Sequence, residues 1–475
     1  MASVRVTTLV IATALFMENL DSTVIATSLP AIAADLGVDP IILKLAFTAY
    51  LVSLAIFIPV SGWCADRFGA RGVFRAAIAV FTVASIGCAM ADSLFGLVAA
   101  RFGQGVGGAM MVPIGRLIVL RVVEKRALVA AMAWLTVPAL VAPMLGPPLG
   151  GFITTYYHWR WIFWLNVPIG LAGIVLATLL IPPIQGYEAR PMDWLGFLLS
   201  GLGLSALIFG FTLVGRDVLP EPGAEGLVAF GLALVALYVL HARRSPHPLI
   251  DLALLQVTTF RISVVGGTLF RVGIGAIPFM LPLMLQLGFG LTPFASGSLT
   301  FVSAAGALAM KLTAAPILRR FGFRQVLLVN TLLSGVLLAA VAAFVPSTPV
   351  LLILAVLLAG GFFRSLQFTS LNALAYADID APRMSRATSF NAVVQQVALA
   401  AGVALAATVL EVSQAARGAT ALATPDFAAG FIVVAVLSTL SALIFARLAP
   451  DAGAEVSGHT IAAAPGHPEG RGTRG

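Results

Sequence analysis

Apolar residues run along this chain in long stretches separated by short breaks rich in Gly, Pro, Asp and Arg. Several stretches exceed the ~18 residues that a helix needs to span a bilayer. The pattern reads as fourteen membrane helices, at about residues 7–29, 41–63, 73–91, 95–117, 128–152, 161–182, 194–214, 225–241, 262–286, 297–318, 325–344, 349–372, 387–410 and 427–447. Typical breaks are Asp66-Arg67-Phe68-Gly69 and Arg243-Arg244-Ser245-Pro246. The first run, Thr7 to Leu29, is too long for the apolar core of a cleavable signal peptide and contains Glu18 and Asp21, so it reads as the first membrane helix. The expected fold class is an all-α membrane protein.

Two short segments recur. Arg67-Phe68-Gly69-Ala70-Arg71 is echoed by Arg320-Phe321-Gly322-Phe323-Arg324, each after the second helix of a six-helix unit. Arg101-Phe102-Gly103-Gln104 is echoed by Arg364-Ser365-Leu366-Gln367, each in the fourth helix. Their shared order and positions imply two six-helix bundles. The expected division is residues 1–182, a linker with two extra helices over 183–260, residues 261–448, and a tail over 449–475. The tail is Gly/Ala/Pro-rich with scattered charge and is expected to be disordered. Parallel repeats of this kind place a substrate site at the midplane between halves that rock against each other.

Composition narrows the class. The chain is 60% hydrophobic and 10% charged, against about a quarter charged in soluble proteins. The net charge of +8 does not call for nucleic acid, because the charges sit in the breaks. With a cytoplasmic N-terminus, the inner ends hold Arg67, Arg71, Arg75, Arg243, Arg244, Arg319, Arg320, Arg324, Arg383, Arg386 and Arg447, whereas the outer loops hold Arg160, Arg216 and Arg417. That bias puts both termini on the cytoplasmic side, and the expected location is a bacterial cytoplasmic (inner) membrane, spanned many times. Cys64 and Cys88 offer no disulfide framework and no metal spacing.

Five motifs follow one another: Leu20-Asp21-Ser22-Thr23-Val24-Ile25-Ala26 through Leu29-Pro30; Gly62-x-x-x-Asp66-Arg67-x-Gly69-x-Arg71; Arg101-x-x-Gln104-Gly105-x-Gly107; Gly146-Pro147-Pro148-Leu149-Gly150-Gly151; and Trp159-Arg160-Trp161-Ile162-Phe163 with Asn166-Val167-Pro168-Ile169-Gly170. In this order they resemble the major facilitator superfamily, specifically its fourteen-helix drug:proton antiporter branch of the EmrB/QacA type. The resemblance covers nearly the whole chain except the tail. It implies a major facilitator fold, two six-helix bundles plus two inserted linker helices, and proton-coupled efflux of amphipathic small molecules by alternating access. It also ties Gly146, Pro147, Gly150 and Gly151 to exporters. There are departures: Arg319 and Ala315 stand in the second loop where Asp66 and Gly62 stand in the first, and Val137 and Pro138 occupy the early glycine position of the fifth-helix motif.

The residues carry their own chemistry. Glu18 and Asp21 are three apart on one helix and face roughly one way. An ionised acid in a bilayer interior is costly, so it faces a cavity or a partner. Moved between dry and wet surroundings, it can bind and release a proton. Asp21 lies nine residues before Pro30 and Arg101 nine after Asp92, both about 13 Å from the outer end. The equal depth predicts an Asp21–Arg101 pair, with Gln104 near Glu18. Gly62 and Gly69 allow close helix approach and a sharp turn. Asp66 is placed against the N-terminus of helix thirteen near Ser385 when the cytoplasmic side closes. Arg67, Arg71 and Arg75 can pair with acids such as Asp378. Together Gly62, Asp66, Arg67, Gly69 and Arg71 read as a conformational latch. Pro138, Pro143, Pro147 and Pro148 among Gly146, Gly150 and Gly151 suit a bent, closely packed helix between the halves.

The second half carries Arg271, Lys311 and Arg364 inside helices, with Gln367, Asn391 and Gln395. With Gln104 these are the candidates for the substrate cavity. The three cations either balance an acidic first half, bind an anionic group of the substrate, or pair with carbonyls. No ATP-binding loop and no catalytic constellation appears, so neither an enzyme nor a cofactor beyond the proton gradient is expected. The expected partners are a small-molecule substrate, protons and the lipid bilayer; a periplasmic adaptor is left undecided. Two alternatives stay open, a narrow-specificity transporter of a single metabolite, anionic or not, and a non-transporting membrane sensor.

Overall fold

A computed structural model describes residues 2–122, 128–184, 191–213, 222–246, 248–380 and 383–459, with the side chains of 2–6, 120–121, 128–140, 312 and 385 outside the description. Lys125, Arg126, Arg190, Arg216 and the side chains of Pro138 and Ser385 therefore lie outside the described residues, as does the tail beyond 459.

Among the described residues, thirteen helices are long and apolar enough to cross a membrane. We label α1 Thr7–Leu36, α2 Lys44–Phe68, α3 Ala70–Ala89, α4 Leu94–Val119 and α6 Trp161–Leu180. The fourteenth helix, α5, is Leu128–Tyr156. The linker helices are α7 Trp194–Leu213 and α8 Gly223–Arg244, and α9 is Thr258–Gly288. Pro293–Ala342 is broken at Gly322 into α10 (293–321) and α11 (323–342). The last three are α12 Val350–Ala375, α13 Arg386–Ala416 and α14 Thr424–Phe445. The fourteen helices follow the hydropathy pattern one for one.

Large apolar side chains lie exposed along α7 and α8, among them Leu195, Leu198, Leu202, Phe230, Leu237 and Leu240. A soluble protein would bury such a face, whereas lipid tails accept it. The two linker helices pack on each other, and α7 also touches α2 and α13.

The two echoed loops share a backbone geometry. Gly69 has φ 82° and Gly322 φ 69°, a region that L side chains rarely adopt. Each glycine turns the chain between the second and third helix of its bundle. Gly62 differs from expectation: a Cβ there would meet nothing within 4 Å, so no helix approaches it closely in this conformation.

Two further departures have local causes. The first helix does not stop at Leu29 but continues to Leu36 through a 3-10 turn, Ile25–Ser28. Pro30 sits in the first turn of the new segment, where its missing N–H costs no helix bond. The start of the expected disordered tail, up to His459, is described and docked. Gly453 lies against Phe323 and Leu374, and His459 Nδ1 is 3.1 Å from the Arg319 carbonyl.

The halves meet at the end that carries the α1–α2 loop. Lys44 Nζ pairs with Glu411 Oε1 at 2.8 Å. Gln286 Nε2 donates to the Thr27 carbonyl at 2.9 Å, and Phe294 N donates to Thr155 Oγ1 at 3.0 Å. Gly151 presses on the backbone of Pro293, and Gly297 on that of Pro147. This seam runs between α5 and α10 and between α2 and α13.

Candidate functional site

Three helices converge on Asp21 inside the first bundle. Arg101 Nη1, from α4, donates to Asp21 Oδ2 at 2.5 Å and to Gln104 Oε1 at 2.7 Å. Gln104 Nε2 reaches Asp21 Oδ1 at 3.1 Å, and Asn166 Nδ2, from the start of α6, reaches the same oxygen at 2.7 Å. Ser85 on α3 closes the network by accepting from Gln104 at 2.7 Å. Cys88 Sγ is 3.3 Å from Gln104 Oε1. The Arg101 guanidinium also lies 4.5 Å from the Tyr50 ring centroid, within cation–π range.

All of this is dry: Asp21 is 4% exposed, Arg101 1% and Gln104 0%. A buried ion pair holds because each partner offsets the other's desolvation, and removing one leaves an expensive lone charge. The equal-depth argument for Asp21 and Arg101 thus has its geometry. Gln104, expected near Glu18, hydrogen-bonds Asp21 from one helical turn past Arg101, and the α4 residue that meets Glu18 is Gly108.

Glu18, one turn earlier on α1, stands apart from that network. Its Oε2 is buried without a hydrogen-bond partner. Gly108 lies between it and Tyr50, since a Cβ there would sit 3.3 Å from Glu18 Oε1 and 3.2 Å from Tyr50 Oη.

The glycines of α5 seat this same helix α1. A methyl at Gly146 would collide with Thr23, and one at Gly150 with the Val24 carbonyl and Thr27. Gly146, Pro147, Gly150 and Gly151 therefore lie where α5 touches α1 on one side and α10 on the other. The Trp159-Arg160 pair ties the adjoining loop to the end of α1. Trp159 Nε1 donates to Asp35 Oδ2 at 3.0 Å, Arg160 pairs with the same carboxylate, and Arg160 Nη2 donates to the Ala91 carbonyl at 2.9 Å.

Asp66 is half-buried and Arg67 exposed at the opposite end of α2. Arg71 Nη2 donates to the Thr178 carbonyl of α6 at 2.5 Å. Asp378, expected to face the latch arginines, instead accepts from Thr259 Oγ1 at 2.7 Å within its own half.

In the second half the candidates separate. Gln367 is fully buried and locked to α11, accepting from Asn330 Nδ2 at 2.8 Å and donating to Thr331 Oγ1 at 2.7 Å. It does not line an open cavity; it repeats what Gln104 does with Ser85 on the third helix of the first bundle. Lys311 Nζ donates to Thr369 Oγ1 at 2.8 Å. Arg364 donates to the Gly360 carbonyl at 3.1 Å and to Ser303. Arg271 donates to Asn372 Oδ1 at 3.3 Å, and Asn391 Nδ2 donates to the same oxygen at 3.1 Å. Gln395 lies one turn further along α13, half-buried.

Sequence reasoning had not assigned Asn166, Ser85 or Tyr50 to the Asp21 site, nor paired Lys44 with Glu411. Asn166 stood in a motif, which was its one available signal. Lys44 is marked as a base at the edge of a span, though nothing in the sequence names its partner, and Ser85 and Tyr50 carry no mark in a single sequence.

The comparisons with known proteins agree with this architecture. The family model described as Major Facilitator Superfamily matches residues 11–240 and 263–468. A relative from Pectobacterium atrosepticum named "Putative multidrug resistance protein MdtD" is 36% identical over 452 residues, covering 95% of this chain and 97% of its own. A protein of the same name from Klebsiella pneumoniae is 37% identical over 459 residues, covering 95% and 96%. Among solved structures, an auto-inhibited POT family peptide transporter superposes with a TM-score of 0.70 at 14% identity over 92% of this chain and 96% of its own. A D-xylose-proton symporter superposes with a TM-score of 0.66 at 14% identity over 93% and 96%. At such identity these two speak for the fold alone.

Proposed function

Because the chain belongs to the Major Facilitator Superfamily, we propose that it is a proton-coupled antiporter that exports amphipathic small molecules, drugs among them, by alternating access. The observation that carries this reading is the buried network on Asp21, with the unpartnered Glu18 oxygen one turn away on the same helix. Kinship with the multidrug resistance proteins supports the substrate class. Lys and Arg placement supports cytoplasmic termini and an inner-membrane location, which makes the joined end the outer one.

The coupling runs along α1. Protonation of Asp21 removes the charge that Arg101, Gln104 and Asn166 converge on, loosening α1 from α4 and α6. Six residues on, within the 3-10 turn, Thr27 is held by Gln286 of the other half. A shift of α1 at the carboxylate is thereby delivered to the seam between the halves. Glu18 supplies a second carboxylate with an oxygen free to take a proton. Asp66 and its neighbours act as the inner latch in the opposite conformation, when the seam at the outer end is open.

The test is efflux from cells expressing the wild type or Asp21→Asn, loaded with ethidium, Nile red or fluorescein, with and without an uncoupler. The reading expects uncoupler-sensitive efflux of at least one dye in the wild type and none in the variant at equal membrane abundance. Equal dye retention in all cases contradicts it.

A further inference from the structure

The two bundles repeat in sequence and in backbone, yet their buried charges do not match. In the first bundle, a carboxylate on the first helix is answered by a guanidinium on the fourth. In the second bundle, the first helix α9 carries the guanidinium, Arg271, and the fourth, α12, answers with the neutral Asn372. Arg364 and Lys311 take local hydroxyl and carbonyl partners. Arg271 is 0% exposed, and its Nε and Nη1 are buried without a hydrogen-bond partner. Among the described residues no carboxylate pairs with it.

A guanidinium in the middle of a membrane helix, with two of its three nitrogens unused, is costly unless something offsets it. Gly267, one turn before, leaves the space that the guanidinium itself fills: a Cβ there would lie 3.0 Å from Nη1. The Phe368 ring centroid is 5.7 Å from Cζ. Asn391 bridges Asn372 Oδ1 and Tyr376 Oη, fixing the one side chain that Arg271 does engage.

We propose that Arg271 is the anchor of a substrate subsite for a carboxylate borne on an apolar or aromatic body. The carboxylate accepts from Nη1, whose N–H groups are unused, and the body packs by Phe368. Asn372, Asn391 and Tyr376 position the guanidinium. The proposal rests on the transport reading above and names a substrate class within it.

The test is calorimetric binding to the full chain in nanodiscs of phosphatidylcholine alone, so that no anionic lipid competes and no gradient is needed. The probes are naphthalene-1-acetate, its neutral amide and inorganic phosphate. The wild type is expected to bind the acid about tenfold more tightly than the amide. Arg271→Gln should bring the two within twofold while leaving amide affinity and melting temperature near those of the wild type, and Arg271→Lys should keep part of the preference. Wild-type binding of the acid no tighter than the amide, including no binding of either, overturns the proposal without needing any variant to fold. So does an intact preference in Arg271→Gln. Phosphate that displaces the acid at equal concentration makes this a site for free anions and overturns the substrate assignment. Proton-driven dye efflux, measured with Arg271 in place, is a separate result.

Discussion

Arg101 Nη1 lies 2.5 Å from Asp21 Oδ2 and 2.7 Å from Gln104 Oε1, so a single nitrogen of α4 holds both the carboxylate of α1 and the amide that supports it. The guanidinium plane also covers Tyr50. Lysine can supply the charge and a donor but not the guanidinium plane that stacks on the Tyr50 ring. Arg101→Lys is expected to lower proton-driven efflux by about tenfold or more at unchanged membrane abundance. Efflux at the wild-type rate would remove the pair from the mechanism.

Stability and transport can be separated at the same pair. Asp21→Ala leaves Arg101 buried and unanswered, which costs about 3–5 kcal/mol, and the melting temperature of the purified protein should fall. Adding Arg101→Leu removes the lone charge and should restore most of the melting temperature, since an apolar pair is often as stable as a buried ion pair. Efflux should stay absent in both. A double variant that remains as unstable as Asp21→Ala would show that the network, rather than the charge balance, sets the stability.

Much of this was legible in the sequence, for identifiable reasons. Fourteen apolar runs map onto fourteen helices because the bilayer sets helix length. Asp21 and Arg101 found each other by depth alone, because charges so deep in a membrane need partners. Gln104 was assigned to Glu18 because counting residues from the helix ends fixes depth only to about a turn: Gln104 meets Asp21, and Gly108, one turn further along the same face of α4, meets Glu18. Asn166, Ser85 and Tyr50 are neutral, come from three other helices and carry no cost that would flag them. The continuation of α1 past Pro30 was hidden because proline opens a helical turn as readily as it ends one. Lys44 and Glu411 belong to different halves, and no spacing in the chain relates them.

That last pair offers a handle on the seam. In a background with Cys64 and Cys88 replaced by alanine, Lys44→Cys with Glu411→Cys should be bridged by a short bismaleimide. Bridging should abolish efflux, because the halves could no longer part at this end. Full activity of the bridged protein would show that the seam does not open during transport.

Gly151 lies against the Pro293 backbone, with no flexible side chain to give way. Gly151→Val overfills the seam at a cost of about 1–3 kcal/mol. The 44–411 bridge should then form about tenfold more slowly, in line with a population shift of that size. An unchanged bridging rate would mean that the α5 glycines do not govern closure.

The central claim is that protonation on α1 moves the seam between the halves. It is tested most directly by electron–electron distance measurement between spin labels at Ala34→Cys and Thr420→Cys, both exposed near that end, in the same cysteine-free background across a pH series. The account predicts a distance distribution that shifts between two populations with pH in the parent protein. The same labels in Glu18→Gln/Asp21→Asn should report one distribution at every pH. A pH-dependent shift that survives neutralisation of both carboxylates would contradict the account.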